Sequence, residues 1–394
     1  MAPPRTPTLP PVLDDAQTAE FVDAAPREPA RARPRRVRHR TDVDGRRLTS
    51  AGHAFLVLVL AVTLALVLNA PGAHKRAYNQ SPGWKREVAL AFTGPLAAAS
   101  RALYLDRPRV AVQALIGRSG VDEIDTDLGI DGGTSASPAA PTRRPGSTTA
   151  EKPARSAAPK PVRKESFTPS RPLRLWIAGD SLVITPGYAI QRAAAENRAF
   201  KPVGSIDGRV ATGLARPDVF NWFKEIREQL ASLKPNVVVL AFGGNDDKAY
   251  MTGLPEGVSI DSFGDPAWTH EYRRRVGALF DMIHRAGAHA VWIGLPQTRD
   301  RAQTLRFDVV NAAVAAEARE RPRSVTYVDT YLGFAGPDGQ YAQYLTLPGR
   351  GEVKVRADDG VHFEPAGGDV IAGEVVKALR TEFDVTSWRD GSSS

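Results

Sequence analysis

From residue 171 onward the sequence predicts an α/β fold, a five-stranded parallel sheet covered by helices on both faces. Five short apolar runs alternate there with five longer stretches of helical periodicity. This alternation is typical of βαβ units, whose strands pair in parallel. Reactive residue types also directly follow several of the apolar runs. This fits such a sheet, because its active sites lie at the carboxyl ends of the strands.

The predicted elements of this part follow in chain order. The strands are Leu173–Ala178, Pro202–Ile206, Val237–Phe242, Ala290–Leu295 and Val325–Val328. The helices are Tyr188–Arg198, Pro217–Leu233, Glu271–Ala286, Arg301–Arg319 and Pro365–Phe383. Pro217 and Pro365 are predicted to occupy first-turn positions, where the missing N–H of proline costs nothing.

Charge separates this part from the N-terminal part. The chain of 394 residues carries 52 Lys and Arg against 44 Asp and Glu, a formal net charge of +8. Residues 1–170 account for +9 and residues 171–394 for −1. The positive charge therefore does not mark a nucleic-acid surface on the folded domain, and we predict no nucleic-acid partner. The absence of cysteine excludes a disulfide scaffold, a Cys-ligated metal and a thiol nucleophile.

The N-terminal part contains a predicted membrane anchor. Residues 51–72 form an uncharged, Leu- and Val-rich stretch, which we interpret as a transmembrane helix in contact with the lipid bilayer. Residues 1–50 are predicted to be a disordered, basic, cytoplasmic segment, because the arginines before the helix favour the inner side. The catalytic part then lies outside the cytoplasm. A buried core helix and a cleaved signal peptide are the alternatives, and the long basic segment in front disfavours both.

Two further segments connect the anchor to the α/β domain at 171–390. Residues 73–130 are predicted to form juxtamembrane amphipathic helices. Residues 131–170 contain seven prolines among Ser, Ala and Gly, which is typical of a flexible linker. A flexible linker of this length spans roughly 35 Å on average, so the domain is expected to move well away from the membrane.

Four residues with chemistry suited to acyl transfer follow predicted strands. Ser181 lies in Gly-Asp-Ser-Leu after the first strand, and Asn245 lies in Gly-Gly-Asn-Asp after the third. Asp359 and His362 lie in Asp-Gly-Val-His before the last helix. Each motif alone also fits a turn or a helix cap. Their conjunction at one rim of the sheet favours catalysis.

Physical chemistry assigns a role to each of these residues. A serine hydroxyl needs a base before it attacks a carbonyl, and His362 is suited to that task near neutral pH. Asp359, three residues earlier, is placed to orient the imidazole and stabilise its charged form. The Ser181 N–H and the Asn245 amide are candidate donors to the oxyanion. This chemistry requires neither a metal nor a cofactor, and we predict none.

These motifs resemble the SGNH/GDSL hydrolases, over residues 173–383. The resemblance implies a flavodoxin-like three-layer α/β/α sandwich, with Ser181 as nucleophile and Asn245, Asp359 and His362 in their family roles. It also implies an oxyanion glycine after the second strand. Gly213 is our choice and Gly208 the alternative. The segments Ala290–Pro296 and Tyr327–Thr330, together with Arg299, resemble a bacterial, membrane-linked branch.

Five further residues are predicted to shape the substrate pocket. They fall in predicted loops, where binding groups of such enzymes lie, and they are Asp246, Trp268, Arg299, Tyr341 and Arg356. Trp268 is interpreted as a lid or carbohydrate contact, because it falls in a loop over residues 253–269. For the arginines a surface ion pair is an equally good interpretation.

Three functions are compatible with these features. The leading hypothesis is a membrane-anchored esterase that removes acyl groups, acetyl first among them, from envelope or extracellular glycans or small esters. An O-acyltransferase would use the same acyl-enzyme and a sugar hydroxyl as acceptor. A non-catalytic, membrane-tethered binding scaffold is the third, and the intact Ser181, Asn245, Asp359 and His362 argue against it.

Overall fold

The computed structural model describes residues 50–80, 82–116, 120, 122–130, 164–247, 250–260 and 262–385. The predicted disordered segment before residue 50 and most of the predicted linker, residues 131–163, lie outside this range. The chain divides into two compact units, Met1–Val62 and Thr63–Ser394. The second unit contains the α/β domain and the helices that precede it.

Helix α1, Ala51–Leu68, is the predicted anchor. Its 18 residues contain no charged side chain, and no residue of the helix is buried. At 1.5 Å per residue it measures about 27 Å, close to the thickness of the hydrocarbon core of a bilayer. Among the described residues it is the one single helix that is long and apolar enough to cross a membrane.

Three helices follow α1 within the second unit. They are α2 (Ala70–Tyr78), α3 (Trp84–Ala102) and α4 (Arg107–Leu115). Helix α3 packs along α2. Helices α3 and α4 meet at an angle of 84°, and by length and composition the bent pair also passes the test for a membrane span. Within residues 73–130, the described helices extend to Leu115.

The α/β domain contains a parallel sheet and five α-helices. In chain order its elements are β1 (Leu173–Gly179), α5 (Ile184–Ala195), β2 (Phe200–Pro202), β3 (Asp207–Gly208), α6 (Trp222–Leu233), β4 (Val237–Ala241), α7 (Pro266–Arg285), β5 (His289–Ile293), α8 (Arg301–Arg319), β6 (Val325–Val328), β7 (Tyr344–Leu347), β8 (Gly351–Lys354) and α9 (Pro365–Glu382). The prediction of an α/β fold is confirmed.

The strand order gives the topology of the sheet. The strands run β2-β1-β4-β5-β6, all in parallel, and β3 extends the β2 edge by pairing with the end of β1. If β2 and β3 are counted as one interrupted strand, the order is 2-1-3-4-5, which is the flavodoxin-like order. Strands β4 and β5 are buried along their whole length, as expected for central strands covered on both faces.

Several predicted boundaries are wrong. The strand predicted at Pro202–Ile206 is instead two short strands, with an irregular stretch over most of the predicted range. Pro217 does not begin α6, because Asn221 caps that helix by accepting a hydrogen bond from the Lys224 N–H at 3.1 Å. Pro365 does begin α9. The antiparallel β7–β8 hairpin was not predicted.

Residues Asp122–Ile130, here called the strap, pack against the α/β domain. Leu128 lies in the main hydrophobic core and is only 5% exposed. The Asn221 side chain donates to the Asp127 carbonyl at 2.7 Å, and Arg227 donates to the Leu128 carbonyl at 3.0 Å. The strap precedes the predicted linker in the chain. These hydrogen bonds join the juxtamembrane part directly to the domain, and the reach of the linker away from the membrane stays a prediction.

The end of α2 also contacts the domain. Arg216 donates to the Asn79 carbonyl at 3.3 Å, and the Tyr250 hydroxyl donates to the Gln80 carbonyl at 2.9 Å. On the other side of the strap, the Lys75 ammonium donates to the Glu123 carbonyl at 2.8 Å. The juxtamembrane helices, the strap and the domain thus form one unit through direct hydrogen bonds.

Candidate active site

Ser181 begins a short 3-10 turn directly after β1. Gly179 ends the strand, and Asp180 caps the turn, because its Oδ1 accepts a hydrogen bond from the Leu182 N–H at 2.8 Å. The sharp turn at the carboxyl end of a central strand leaves the Ser181 hydroxyl at the rim of the sheet. This is where parallel sheets present their reactive groups.

His362 connects Ser181 to Asp359 by hydrogen bonds. The imidazole Nε2 lies 2.8 Å from the Ser181 Oγ, and Nδ1 lies 2.6 Å from the Asp359 Oδ2. The two ring nitrogens therefore have different partners, a hydroxyl and a carboxylate. With the proton on Nδ1, Nε2 is free to accept the serine proton. The three predicted triad residues are brought together in the geometry of a nucleophile, a base and an orienting acid.

The Asp359 carboxylate is strongly held in its charged form. Partial burial opposes ionisation, but hydrogen bonds from the His362 ring and from two backbone N–H groups outweigh it and lower the pKa of Asp359 to about 2. The backbone donors are Val361 and His362, both at 2.9 Å from Oδ1. A fixed negative charge beside Nδ1 stabilises the imidazolium that forms when His362 takes a proton.

Asn245 lies in the loop after β4, close to the segment that contains Gly213. Its Nδ2 donates to the Thr212 carbonyl at 3.0 Å, which uses one of the two amide hydrogens. Gly213 follows directly, and a Cβ at this position would collide with the Asp246 carboxylate. Gly208 lies in β3 opposite Gly179, where a Cβ would lie 2.5 Å from Ile184 Cγ1. Both glycines are thus required by close packing.

Asp180, which our sequence interpretation did not assign a role, joins the two loops of the site. Its Oδ1 holds the turn of Ser181, and its Oδ2 accepts a hydrogen bond from the Gly244 N–H at 2.9 Å. Complete burial raises the pKa of Asp180 to about 7, against the lowering effect of these backbone donors. The position of Asp180 directly before Ser181 was the sequence feature that could have pointed to its role. Its burial could not be predicted, because it depends on how β1 and β4 meet.

The comparisons with known proteins identify the family. A family model described as "Protein of unknown function (DUF459)" matches residues 174–378, about half of the chain. The chain belongs to this family. A search of the curated proteins found no match.

Solved structures similar to this DUF459 protein include three bacterial proteins. One is a GDSL-like lipase from Bacteroides thetaiotaomicron, with 13% identity, a TM-score of 0.37, and coverage of 53% of this chain and 88% of the other. A family 3 carbohydrate esterase from Clostridium thermocellum has 16% identity, a TM-score of 0.35, and coverage of 53% and 98%. A member of the lipolytic G-D-S-L family from Veillonella parvula has 14% identity, a TM-score of 0.36, and coverage of 52% and 98%.

Two predicted substrate contacts of the DUF459 domain are fully buried. The Asp246 carboxylate accepts hydrogen bonds from the Leu214 N–H, the Ala215 N–H and the Tyr272 hydroxyl at 2.8–3.0 Å. Burial raises its pKa. Trp268 lies in helix α7, not in a loop, and its ring stacks on Tyr272 at 4.7 Å. Both predictions are wrong, because these side chains fix the loop of Gly213 and the core and do not reach solvent.

Arg356 is also buried, and it holds the turn that contains the triad histidine. Its guanidinium donates to the carbonyls of Gln297 and Val361, both at 2.7 Å, and to that of His362 at 3.3 Å. Burial lowers the pKa of Arg356 to about 10, so it remains a cation at neutral pH. The prediction that it contacts substrate is wrong, because the side chain is fully buried.

Tyr341 and Arg299 lie beside this turn. The Tyr341 ring packs against the Arg356 guanidinium at 5.3 Å, and its hydroxyl oxygen is buried without a hydrogen bond to any described residue. Arg299 is exposed, and it donates to the Asp358 carbonyl at 2.8 Å and to the Gln343 side chain at 3.2 Å. Of the five predicted contacts, Arg299 is exposed and Tyr341 is partly exposed, whereas the other three side chains are buried.

Within the described ranges, from residue 50 to residue 385 with their gaps, no group of three or more His, Cys, Asp or Glu side chains is arranged to hold a metal ion.

Proposed function

We propose that this chain is a membrane-anchored, extracytoplasmic serine esterase that removes short acyl groups, above all acetyl, from envelope or extracellular glycans. The observation that carries the proposal is the hydrogen-bonded series Ser181–His362–Asp359, with contacts of 2.8 and 2.6 Å at the carboxyl edge of the sheet. A nucleophile, its base and an orienting acid in this order are the recurring arrangement of serine hydrolases on unrelated folds.

The proposed reaction proceeds through an acyl-enzyme. His362 Nε2 accepts the Ser181 proton as Oγ attacks the ester carbonyl, and the carbonyl π electrons move to the oxygen. When this tetrahedral intermediate collapses, the bond to the sugar oxygen breaks, and His362 returns the proton to that oxygen. Water then attacks the acyl-enzyme carbonyl and gives one proton to His362. When this second tetrahedral intermediate collapses, the bond to Ser181 Oγ breaks, His362 returns the proton to Oγ, and the carboxylic acid leaves.

Three donors are proposed for the oxyanion. They are the Ser181 N–H, the second Nδ2 hydrogen of Asn245 and the N–H of Gly213, with Gly208 as the alternative glycine. Thr212 fits this assignment, because its carbonyl accepts from Asn245 at 3.0 Å and it directly precedes Gly213. Donors placed before the reaction stabilise the developing charge at no cost of reorganisation.

The exposure of the triad supports hydrolysis over acyl transfer. The side chains of His362 and Asp359 are 42% and 50% exposed, so bulk water has direct access to the base. A transferase must exclude water from its acyl-enzyme, and an open site does not. Product analysis with a glycan acceptor present decides between the two: release of free acetate supports the esterase, and an acetylated acceptor supports the transferase.

The rim beside His362 supports a polar substrate. Arg299, Gln343 and Asp358 form a hydrogen-bonded group there, with contacts of 2.8–3.2 Å. Hydrogen-bonding groups at a solvent-open rim suit sugar hydroxyls, whereas a long acyl chain needs a broad apolar groove. We therefore expect higher kcat/KM on acetylated glycans than on long-chain esters.

The anchor completes the proposed function. Helix α1 is apolar and has no buried residue, and the arginine-rich segment before it favours a cytoplasmic N-terminus. This orientation places the esterase outside the cytoplasm, where its glycan substrates would lie. A protease protection assay on right-side-out membrane vesicles tests the orientation, because an external domain is digested without lysis.

Replacement of the nucleophile tests the proposed activity. The full chain in detergent should hydrolyse p-nitrophenyl acetate, and Ser181→Ala should abolish the hydrolysis. Ser205→Ala is the matched control, because Ser205 is an exposed serine of the same domain outside the triad. Equal activity of the Ser181→Ala variant and the control would exclude Ser181 as the nucleophile.

A further inference from the structure

The junction of α3 and α4 exposes an apolar surface that no described element covers. We call residues Leu103–Ile116 the elbow. Its large exposed apolar side chains are Leu103, Tyr104, Val110, Val112, Leu115 and Ile116, and they are 43–86% exposed. Large apolar side chains grouped in this way on a protein surface mark a contact with another molecule or with a membrane.

The position of the elbow is fixed relative to the end of the apolar helix α1. The Ser100 hydroxyl, near the end of α3, donates to the Val67 carbonyl in the last turn of α1 at 2.9 Å. The chain therefore reaches the elbow only three residues after a point that lies beside the end of the proposed membrane span. If α1 crosses a bilayer, the elbow lies at the surface where α1 leaves it.

The opposite side of the elbow is polar and already occupied. Arg109 forms a two-pronged ion pair with Asp122 at 2.5 and 2.9 Å, and Gln113 donates to the same carboxylate at 2.7 Å. Asp122 is the first residue of the strap. These contacts fix which face of α4 turns toward the strap, and the apolar side chains remain on the outside.

A cation lies over the exposed aromatic ring of the elbow. The Arg107 guanidinium lies over the Tyr104 ring at 5.2 Å, and both side chains are exposed. Arginine beside tyrosine at the edge of an apolar surface is typical of the membrane–water interface, where the ring lies at headgroup level and the cation contacts lipid phosphate.

We propose that the elbow inserts into the headgroup and upper acyl region of the leaflet in which α1 ends. The occupant of the apolar surface is the lipid bilayer, and Arg107 contacts anionic headgroups. Interfacial helices of this kind bury their apolar face about 5–10 Å deep. Because the strap joins the elbow to the α/β domain, this second contact holds the domain close to the membrane surface. The inference depends on the anchor and not on the chemistry of Ser181.

Site-directed fluorescence tests this insertion, and the lack of native cysteine makes single labels specific. The full chain is reconstituted into vesicles of phosphatidylcholine and phosphatidylglycerol, with a nitrobenzoxadiazole label on Leu115→Cys or on Ala286→Cys. Ala286 is the control, because it is exposed at the opposite, amino edge of the sheet. Circular dichroism confirms that each labelled variant is folded.

The proposal expects the two labels to respond to different quenchers. The label at residue 115 should be quenched at least twofold by lipid with a doxyl group high on the acyl chain and protected from aqueous iodide. The label at residue 286 should show the reverse. Quenching of residue 115 by iodide as strong as that of residue 286 would overturn the proposal. Protection of residue 115 from both quenchers would also overturn it, because a protein partner would then cover the elbow.

Discussion

At the scale of single residues, the site depends on which groups are charged before the substrate arrives. Asp359 has a pKa of about 2, so it is ionised throughout the neutral range and can stabilise a charged His362. The carboxylate is held by backbone N–H groups of its own turn, Val361 and His362. His362 follows Asp359 by three positions. This spacing allows Oδ1 of Asp359 to accept from the backbone of the turn while Oδ2 contacts the His362 ring.

The Asn245 amide provides the first prediction at this scale. Asn245→Ala should lower kcat on p-nitrophenyl acetate by about 10²–10³-fold, because one donor to the oxyanion is lost. KM should change little, since the donor acts mainly in the transition state. Asn197→Ala is the control, because its amide donates to Val385 at the far edge of the sheet. A kcat of Asn245→Ala equal to that of the control would remove Asn245 from the oxyanion site.

The site residues show how far the sequence alone can go. Ser181, Asn245, Asp359 and His362 were accessible to prediction, because each follows a strand or precedes a helix in a short polar motif. Asp246 and Trp268 also looked like loop residues, but their burial depends on long-range packing against Tyr272. No local sequence pattern distinguishes a carboxylate that faces a substrate pocket from a buried one that accepts hydrogen bonds from two backbone N–H groups.

At the scale of elements, the turn between β8 and α9 is held by a buried cation. Arg356 donates to three carbonyls, and two of them, of Val361 and His362, belong to the turn itself. Gly360 has a φ of +75° in this turn, and a Cβ there would lie 2.5 Å from the Cβ of Arg299. The position of the catalytic imidazole therefore depends on a positioning residue that does not contact substrate.

Removal of this positioning residue gives the second prediction. Arg356→Met should lower kcat by about 10²-fold with a smaller change in KM, because a displaced imidazole no longer meets the Ser181 hydroxyl. Arg356→Lys should be intermediate, since it keeps the charge but not the planar fork. Steady-state kinetics and thermal unfolding of each variant are the measurements. A loss of stability with an unchanged kcat would show that Arg356 has a structural role only.

His289 at the start of β5 gives a prediction for stability against pH. Burial lowers its pKa from 6.5 to about 4, and its Nε2 contacts the Thr326 hydroxyl on β6 at 2.7 Å. Between pH 4 and 6.5 the unfolded chain therefore binds more protons than the folded one. This contribution to stability is complete above pH 6.5, and about 3 kcal/mol is lost as the pH falls to 4.

The measurement is the free energy of unfolding by urea at pH 4.5 and at pH 7. The His289→Gln variant should lose less stability than the original chain between these two pH values, because glutamine does not titrate. An identical loss in both proteins would assign the acid sensitivity to other groups.

The elements also show where prediction fails. Helix α8 was predicted with its exact bounds, and in the structure the Asp300 side chain caps it by accepting a hydrogen bond from the Ala302 N–H. The edge strand was predicted as one piece at Pro202–Ile206, but β2 and β3 pair with the two ends of β1 and leave the middle unpaired. Where an edge strand pairs depends on its neighbouring strand. The apolar pattern of the edge strand alone does not predict this pairing.

At the scale of the whole molecule, the strap joins the juxtamembrane helices to the catalytic domain. Four of the six residues from Asp122 to Asp127 are acidic, a composition typical of a solvated surface. The structure instead uses the backbone carbonyls of the run as acceptors and buries Leu128. A backbone carbonyl is available in any sequence, so its use as an anchor point was not predictable.

Truncation of Leu128 tests the strap. Leu128→Ala should lower the free energy of unfolding by about 2–5 kcal/mol, because it removes a buried side chain and leaves a cavity. Leu305→Ala is the matched control, since Leu305 is 56% exposed and its truncation should change stability by less than about 0.5 kcal/mol. Equal effects of the two substitutions on urea unfolding would show that the strap does not pack as described.

Labelling with a fluorophosphonate tests the central claim most directly, because this reagent forms a stable adduct only with an activated serine. We predict that mass spectrometry of the labelled full chain finds one adduct, on Ser181, and that His362→Ala reduces its rate of formation by at least 10²-fold. Ser205 should remain unlabelled. The absence of an adduct on Ser181, or an equal rate in His362→Ala, would contradict the account and favour a non-catalytic binding scaffold.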